Sequence, residues 1–294
     1  MDPENLPRIT IVTPSFNQAP YLRQTIESVL GQGYPNLEYM IIDAGSTDGS
    51  VEIIQEYEDR LAYWVSEPDE GQADAINKGF ARATGDILAW LNSDDFYWPS
   101  ILRHVASQFP NPTQPALLYG TVLDYFQSSA TCWLMVPPDF SRAELRRLDY
   151  IVQPSTFWTR TLWDAVGPLN VNYNYVFDWE WFIRAADVCE FFRTSECFSV
   201  YRHHDFHKTG TGGEARLDEL AEIIERYSDE DWRQAFRSLY KRRASMRRAS
   251  KSLTHRALNR LRRRYVLSAR HPRLVRRFGW ENIHALVKEL SVEP

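Results

Sequence analysis

Short apolar runs and amphipathic stretches alternate through the first hundred residues, and few folds accommodate that order. Arg8–Thr13 is brief and β-branched, as a buried strand should be, and Tyr21–Leu30 sets Leu22, Ile26, Val29 and Leu30 on one helical face. Leu37–Asp43 is a second strand, Ser50–Tyr57 a second helix and Leu61–Val65 a third strand. Gly71–Ala83 is a third helix facing inward through Ala75, Ile76, Gly79 and Phe80, and Ile87–Leu91 is a fourth strand. Such alternation builds βαβ units and predicts a parallel sheet with helices on both faces. The loops after strands one, two and four carry the polar residues: Pro14–Asn17, Ala44–Gly49 and Asn92–Asp95. In open parallel sheets ligands bind outside the carboxyl ends of the strands, so these three loops are expected to meet at one edge.

The pattern is mixed from Leu117 to Tyr201. Leu117–Val122, Cys132–Val136, Ser155–Trp158 and Phe191–Arg193 read as strands and Trp179–Ala186 as a helix. Arg202–Gly213 is a loop rich in glycine and histidine, and Glu214–Tyr227 is an amphipathic helix. Charge then changes sharply. Arg233–Arg277 holds 17 Lys and Arg and no acid, so the rest of this chain of net charge −5 stands at −22. The basic tract reads as a helix with a narrow apolar stripe of Met246, Leu253, Ala257, Leu261 and Tyr265. Such helices bind anionic membrane surfaces. Nucleic acid is not expected as a partner, because the preceding half is acidic and no aromatic residues interleave the arginines.

Three cysteines, without C-x-x-C spacing, argue against a disulfide framework or a zinc site. Met1–Arg8 lacks a signal-peptide layout, and no apolar run reaches the ~20 residues that span a bilayer. The expected location is the cytoplasm, with the basic tract holding the protein peripherally on the inner membrane face.

Asn92-Ser-Asp-Asp95 carries the strongest chemical signal. Two adjacent carboxylates after a buried strand repel each other unless a cation lies between them, and Mg²⁺ and Mn²⁺ take such oxygen ligands together with substrate phosphates. The competing reading is a pair of acids capping a helix at Trp98–Gln108. Asp43 can accept from a nucleobase N–H or a ribose hydroxyl, or can brace its own turn. Pro14, Ser15 and Asn17 can line base and ribose. Gly71–Gly79 opens a helix whose amides suit an anion, with Gln72, Asp74 and Lys78 able to reach a donor. Trp90, Trp158, Trp179 and Trp181 are either sugar-stacking faces or core.

Thr10–Asn17, Ile41–Asp48, Gln72–Gly79, Asn92–Asp95, Phe177–Arg184 and the Tyr201-Arg202-x-His204 segment, taken in order, resemble the family 2 glycosyltransferases of GT-A fold. The resemblance covers roughly residues 8–210. It implies a central, mostly parallel sheet flanked by helices, extended here by the basic helical C-terminus. It implies Asp94 at the diphosphate, Asp95 and His204 at a metal, Asp43 at the nucleobase and Asp178 as catalytic base of an inverting transfer. The family's second acid beside Asp43 is Ala44 here, the acid before the base is Phe177, and His207 stands where a serine is usual, so His203, His204 and His207 all stay open as the ligand. A sugar hydroxyl is a poor nucleophile and needs a carboxylate to take its proton. Glu180 is the rival to Asp178, and on a helix only one of the two can face the donor.

The expectation is therefore a metal-assisted (Mn²⁺ or Mg²⁺) hexosyltransferase acting from a nucleotide-sugar, UDP-linked by preference, on a glycan or lipid-linked acceptor. Residues 1–110 would form the nucleotide-sugar-binding half, 111–213 the acceptor-binding half and 214–294 the helical extension. A sugar nucleotidyltransferase is the alternative enzyme, but Pro14–Asn17 lacks the glycine-rich basic loop it requires. A non-catalytic carbohydrate- or membrane-binding module is the other, and the intact Asp94, Asp95 and Asp178 oppose it.

Overall fold

In the computed structural model, which describes residues 6–205, 207–241 and 272–290, the alternating segments form one nine-stranded sheet. Its first elements are β1 (Ile9–Ser15), α1 (Ala19–Leu30), β2 (Leu37–Asp43), α2 (Ser50–Gln55), β3 (Tyr63–Ser66), α3 (Gln72–Arg82) and β4 (Ile87–Trp90). Next come β5 (Phe96–Tyr97), α4 (Ile101–Gln108), β6 (Leu117–Phe126), β7 (Thr131–Met135), α5 (Arg142–Leu145), β8 (Thr156–Thr159), α6 (Arg160–Val166), α7 (Phe177–Ala186) and β9 (Phe191–His203). The strands lie in the order β3-β2-β1-β4-β8-β6-β9-β5, with β7 beside β6. Pairing is parallel from β3 through β4 and between β6 and β9, and antiparallel at β8, β7 and β5.

β1 is buried along its whole length, as a central strand covered on both faces must be. One face packs Ile9, Ile11 and Ile41 against Leu22, Ile26 and Val29 of α1 and Leu102 and Val105 of α4. The other receives α3, and Gly79 makes the approach possible: a Cβ there would stand 2.5 Å from Val12 Cγ1. The tryptophans considered for sugar stacking are core. Trp90, Trp158, Trp179 and Trp181 are all at most 1% exposed, and the Trp90, Trp158, Phe80 and Trp163 rings interlock.

β9 runs far beyond the three residues its apolar start suggests. Polar, largely exposed Arg193–Glu196 interrupts the pattern, and the strand continues because its backbone pairs with β6 across a register shift.

The chain divides into two compact units, Met1–Arg142 with Tyr150–His207 and Ala143–Asp149 with Lys208–Pro294. The second contains α8 (Lys208–Thr211), α9 (Gly213–Tyr227), α10 (Glu230–Tyr240) and the helices Pro272–Phe278 and Trp280–Glu289. Asp229 caps α10 by accepting from Trp232 N at 2.9 Å, and Trp232 Nε1 donates to the Arg147 carbonyl at 3.0 Å. The stripe Met246–Tyr265 of the basic tract lies outside the described residues. Among the described residues no helix is long and apolar enough to cross a membrane. Cys132, Cys189 and Cys197 are free thiols.

Glu38 on β2 ties the start of the sheet together. Thr10 Oγ1 (2.5 Å) and Thr84 N (2.7 Å) donate to its Oε2, Thr84 Oγ1 donates to Oε1 (2.7 Å), and the Arg8 guanidinium lies 3.0 Å from Oε1. Burial by itself would raise the Glu38 carboxyl, but the hydrogen bonds from Thr10 and Thr84, with the Arg8 charge, hold it below the usual glutamate range. A depressed carboxyl adds stability above its unfolded value of about 4.3, and loses it as pH falls through the folded value. The urea midpoint is therefore expected to drop between about pH 5 and pH 3. Glu38→Gln should flatten that slope and cost about 1–3 kcal/mol at neutral pH. An unchanged slope in the variant would remove Glu38 as its source.

Candidate active site

Strand register gathers the polar loops. Ser15 at the end of β1 pairs with Asp43 at the end of β2, and Val12 pairs with Trp90 at the end of β4. The chain steps outward from β1 to β2 and β3, then returns to β4 on the other flank of β1, so the strand order reverses beside these ends. A crevice opens at such a reversal.

The first two loops are stitched together. Asn17 N donates to Ser46 Oγ (2.8 Å), Thr47 N to Asn17 Oδ1 (2.9 Å), Gln18 N to Ser50 Oγ (3.1 Å) and Ala19 N to Asp48 Oδ2 (2.9 Å). Asn17 adopts φ +52°, a left-handed conformation that asparagine tolerates better than most residues. Asp43 is fully buried, and its Oδ2 accepts from Gly45 N (3.1 Å), Ser46 N (2.9 Å) and Ser66 Oγ (2.7 Å), its Oδ1 from Ser46 Oγ (2.5 Å). Four donors match the capacity of a carboxylate, so Asp43 sets the shape of the Gly45–Ser46 turn. Beside it Ser15 Oγ is buried without a hydrogen-bond partner among the described residues, and Pro14 is buried within β1.

The acids after β4 do not cap a helix: α4 begins at Ile101 behind Ser100. Thr25 Oγ1 donates to the carbonyls of Ser93 (2.9 Å) and Asp95 (2.7 Å), and Arg202 Nε donates to the Asp94 carbonyl (2.8 Å). Asp95 is fully buried, and its Oδ1 accepts from Arg202 N at 3.0 Å. Burial, then the adjacent charge of Asp94, pushes its carboxyl well above the usual aspartate range. Asp94 Oδ2 is hydrogen-bonded to His204 Nε2 at 3.0 Å. His203 pairs instead with Asp124 on β6, also at 3.0 Å, and His207 packs beside both imidazoles. Of the three histidines, His204 is thus hydrogen-bonded to the acid pair, with the His207 ring next to it. Among the described residues no three His, Cys, Asp or Glu side chains form a ready-made metal cage.

The helix residues divide. Gln72 Nε2 donates to Asn92 Oδ1 (2.7 Å) and so joins the start of α3 to the acid loop. Asp74 and Lys78 pair with each other at 3.2 Å, and Lys78 also lies 3.5 Å from Glu67.

Asp178 lies in the first turn of α7, behind the N-cap Val176. The neighbouring Phe177 ring is 6.2 Å from Trp90, which brings this turn to the end of β4. Its rival is occupied. Glu180 is 3% exposed, and Arg184 Nε donates to both its oxygens at 3.0 Å while the other guanidinium nitrogens donate to the Val166 and Pro168 carbonyls. Asn77 fixes the approach to α7 from the other side: its amide donates to the Leu169 carbonyl and accepts from Leu169 N, both at 2.9 Å. Gln153 Nε2 donates to the Trp90 carbonyl at 2.8 Å. Neither Asn77 nor Gln153 was anticipated, and the one available signal was a lone amide among apolar residues.

A parallel half-sheet whose reversal point gathers paired acids, continued by a mixed half with helices against the sheet, defines the GT-A class of glycosyltransferases. Solved structures agree in fold. S. aureus TarS (residues 1–349) in complex with UDP-GlcNAc superposes with TM-score 0.59 at 14% identity, over 97% of this chain and 89% of that one. Mannosyltransferase PcManGT of Pyrobaculum calidifontis, in complex with GDP-Man and Mn²⁺, gives 0.61 at 16% identity over 98% and 88%. An uncharacterized glycosyltransferase of Mycobacterium tuberculosis is 32% identical over 187 residues, covering 63% of this chain and 71% of its own. The glycosyl transferase family 2 model matches residues 10–161, and the chain belongs to that family.

Removing one partner of a buried ion pair strands the other. Glu180→Ala is accordingly expected to lower unfolding free energy by about 3–5 kcal/mol in urea titrations. A loss under about 1 kcal/mol would mean the Glu180–Arg184 pair behaves like an exposed one.

Proposed function

We propose that this glycosyltransferase inverts configuration at the transferred sugar. In this reading it moves a hexosyl group from a nucleoside-diphosphate sugar, UDP-linked by preference, to a hydroxyl of a glycan or lipid-linked acceptor. The observation that carries the reading is Asp95, fully buried next to a second carboxylate, its own carboxyl pushed up by that burial and that neighbouring charge. The donors held by the structurally similar TarS and PcManGT support a nucleotide-sugar at this edge.

Asp94, Asp95 and His204 would hold Mn²⁺ or Mg²⁺. The donor set fits such an ion: hard carboxylate oxygens with an imidazole, completed by substrate phosphates and not by a full protein cage. A bound cation would offset the charge that builds on the departing diphosphate. The chain's own residues do the rest. Ser15 Oγ, Pro14 and the Asn17 loop receive base and ribose, with Asp43 acting through the turn it braces. Gln72, with Asp74 and Lys78 behind it on α3, lines the donor side. Asp178 takes the proton of the acceptor hydroxyl as its oxygen attacks C1. The C1–O bond to the β-phosphate breaks as the new bond forms on the opposite face, and its electron pair leaves with the nucleoside diphosphate. The site lies on the cytoplasmic side in this reading, and the basic tract 233–277 would rest on an anionic bilayer that presents a lipid-linked acceptor.

Nucleotide release from a panel of UDP-, GDP- and dTDP-sugars, with Mn²⁺, Mg²⁺ or EDTA, is the direct measurement. Turnover is expected with a divalent ion and not with EDTA. Asp178→Asn should cut kcat by about 10²–10⁴ while calorimetric donor affinity holds. Asp94→Asn and Asp95→Asn should lose donor binding as well. Wild-type transfer by Asp178→Asn would take that residue out of its role.

A further inference from the structure

The strands β6, β7 and β9 share a face that the donor chemistry does not use. Asp124 stands opposite Trp133 on β7 and Tyr201 on β9, and Phe126 stands opposite Thr131 and His203. Side chains paired across strands lie on one face, so Trp133, Asp124 and Tyr201 form a row about 10 Å across, with Phe126 and His203 beside it. Phe126 and His203 stack at 4.2 Å, Tyr201 meets the His203 ring edge-on at 4.7 Å, and Asp124 Oδ1 is 3.0 Å from His203 Nε2. Among the described residues Asp124 Oδ2 takes no hydrogen bond. Trp133 is 67% exposed and, among the described residues, meets no other ring.

The strand is unusual for an edge. Exposed edges are normally blunted by charge, yet Thr131–Pro138 reads TCWLMVPP, with Trp133, Leu134, Met135 and Val136 all exposed. A lipid surface fits poorly, because it would place the Asp124 carboxylate against hydrocarbon at high cost. An exposed indole, with a largely buried carboxylate that keeps one oxygen unbonded and an imidazole at its foot, suits a ligand with one apolar face and a rim of hydroxyls. A pyranose ring is such a ligand: its axial C–H bonds point at the negative π-face, and its hydroxyls donate to the carboxylate and bond the imidazole. The row is also continuous with the active site. His203 precedes His204, the partner of Asp94, and the His207 ring lies 5.3 Å from one and 5.9 Å from the other.

We propose that Trp133, Asp124 and His203 form a binding platform for a pyranose unit of the acceptor glycan, Trp133 stacking on the ring and Asp124 holding its hydroxyls. The assignment as an acceptor subsite rests on the transferase reading above. Its recognition of sugar does not.

Saturation-transfer NMR of the full chain with methyl pyranosides of glucose, galactose, mannose and N-acetylglucosamine, without donor, tests the platform by itself. At least one is expected to bind. Trp133→Ala should weaken it about tenfold, Trp133→Phe should keep most of the affinity, and Asp124→Asn should weaken it with the fold unchanged by circular dichroism. In turnover assays the loss in Trp133→Ala should fall on acceptor KM more than on donor KM. Equal binding by wild type and Trp133→Ala, or no binding of any pyranoside, would overturn the proposal. So would a wild-type dimer that Trp133→Ala converts to monomer in sedimentation velocity with sugar binding intact, which would assign β7 to contacts between copies. If no nucleotide-sugar is turned over while pyranosides still bind through Trp133, the transferase chemistry fails and the platform stands.

Discussion

A carboxylate removed from water beside another carboxylate is the constraint around which this structure is arranged. Asp95 is wholly buried and Asp94 adjoins it, and every element at that edge bears on keeping the two in place. Thr25 of α1 holds the two carbonyls of the loop, Arg202 of β9 holds a third and lends its N–H to Asp95, and Gln72 of α3 reaches Asn92. Three elements far apart in sequence are therefore fastened to one short turn. The turn is fastened where the unfavourable charge sits, and opening it toward solvent would cost those hydrogen bonds. In the proposed function a bound cation would relieve the repulsion, and occupancy of the site and stability of its walls would then be one physical problem.

The parallel half was legible because its strands are covered on both faces and are apolar throughout. The run RITIVT needs no tertiary partner to be recognised, and the amphipathic period of α3 is set by the same core. Once those strands were placed, their carboxyl ends fixed which loops would meet. The second half resisted for a different reason. β9 is held by pairing with β6 more than by its own side chains, and the largely exposed Arg193–Glu196 stretch carries no strand signal. β5 is two residues long and exists because β9 is there.

At the site, residue types announced themselves while partnerships did not. Paired acids after a strand and a carboxylate opening a helix are visible in the letters. That Glu180 would be locked to Arg184 follows from a helical spacing of four only after the helix is known to be buried. That Asp74 and Lys78 would turn to each other, and that His204 would go to Asp94 while His203 goes to Asp124, depends on the direction in which a strand end emerges, which sequence does not encode locally. The tryptophans were ambiguous by nature, since an indole is as useful in a core as on a surface, and the core claimed the four that looked most suggestive.

The reciprocal bonds between Asn77 and Leu169 reach over 92 residues of chain and tether the run-in to α7 directly to α3. The run-in to α7 is consequently held by α3 itself, across a stretch of chain that includes β6, β7 and β8. Such a tether bypasses β6, β7 and their connections, so a change of length or sequence in that stretch need not shift the start of α7.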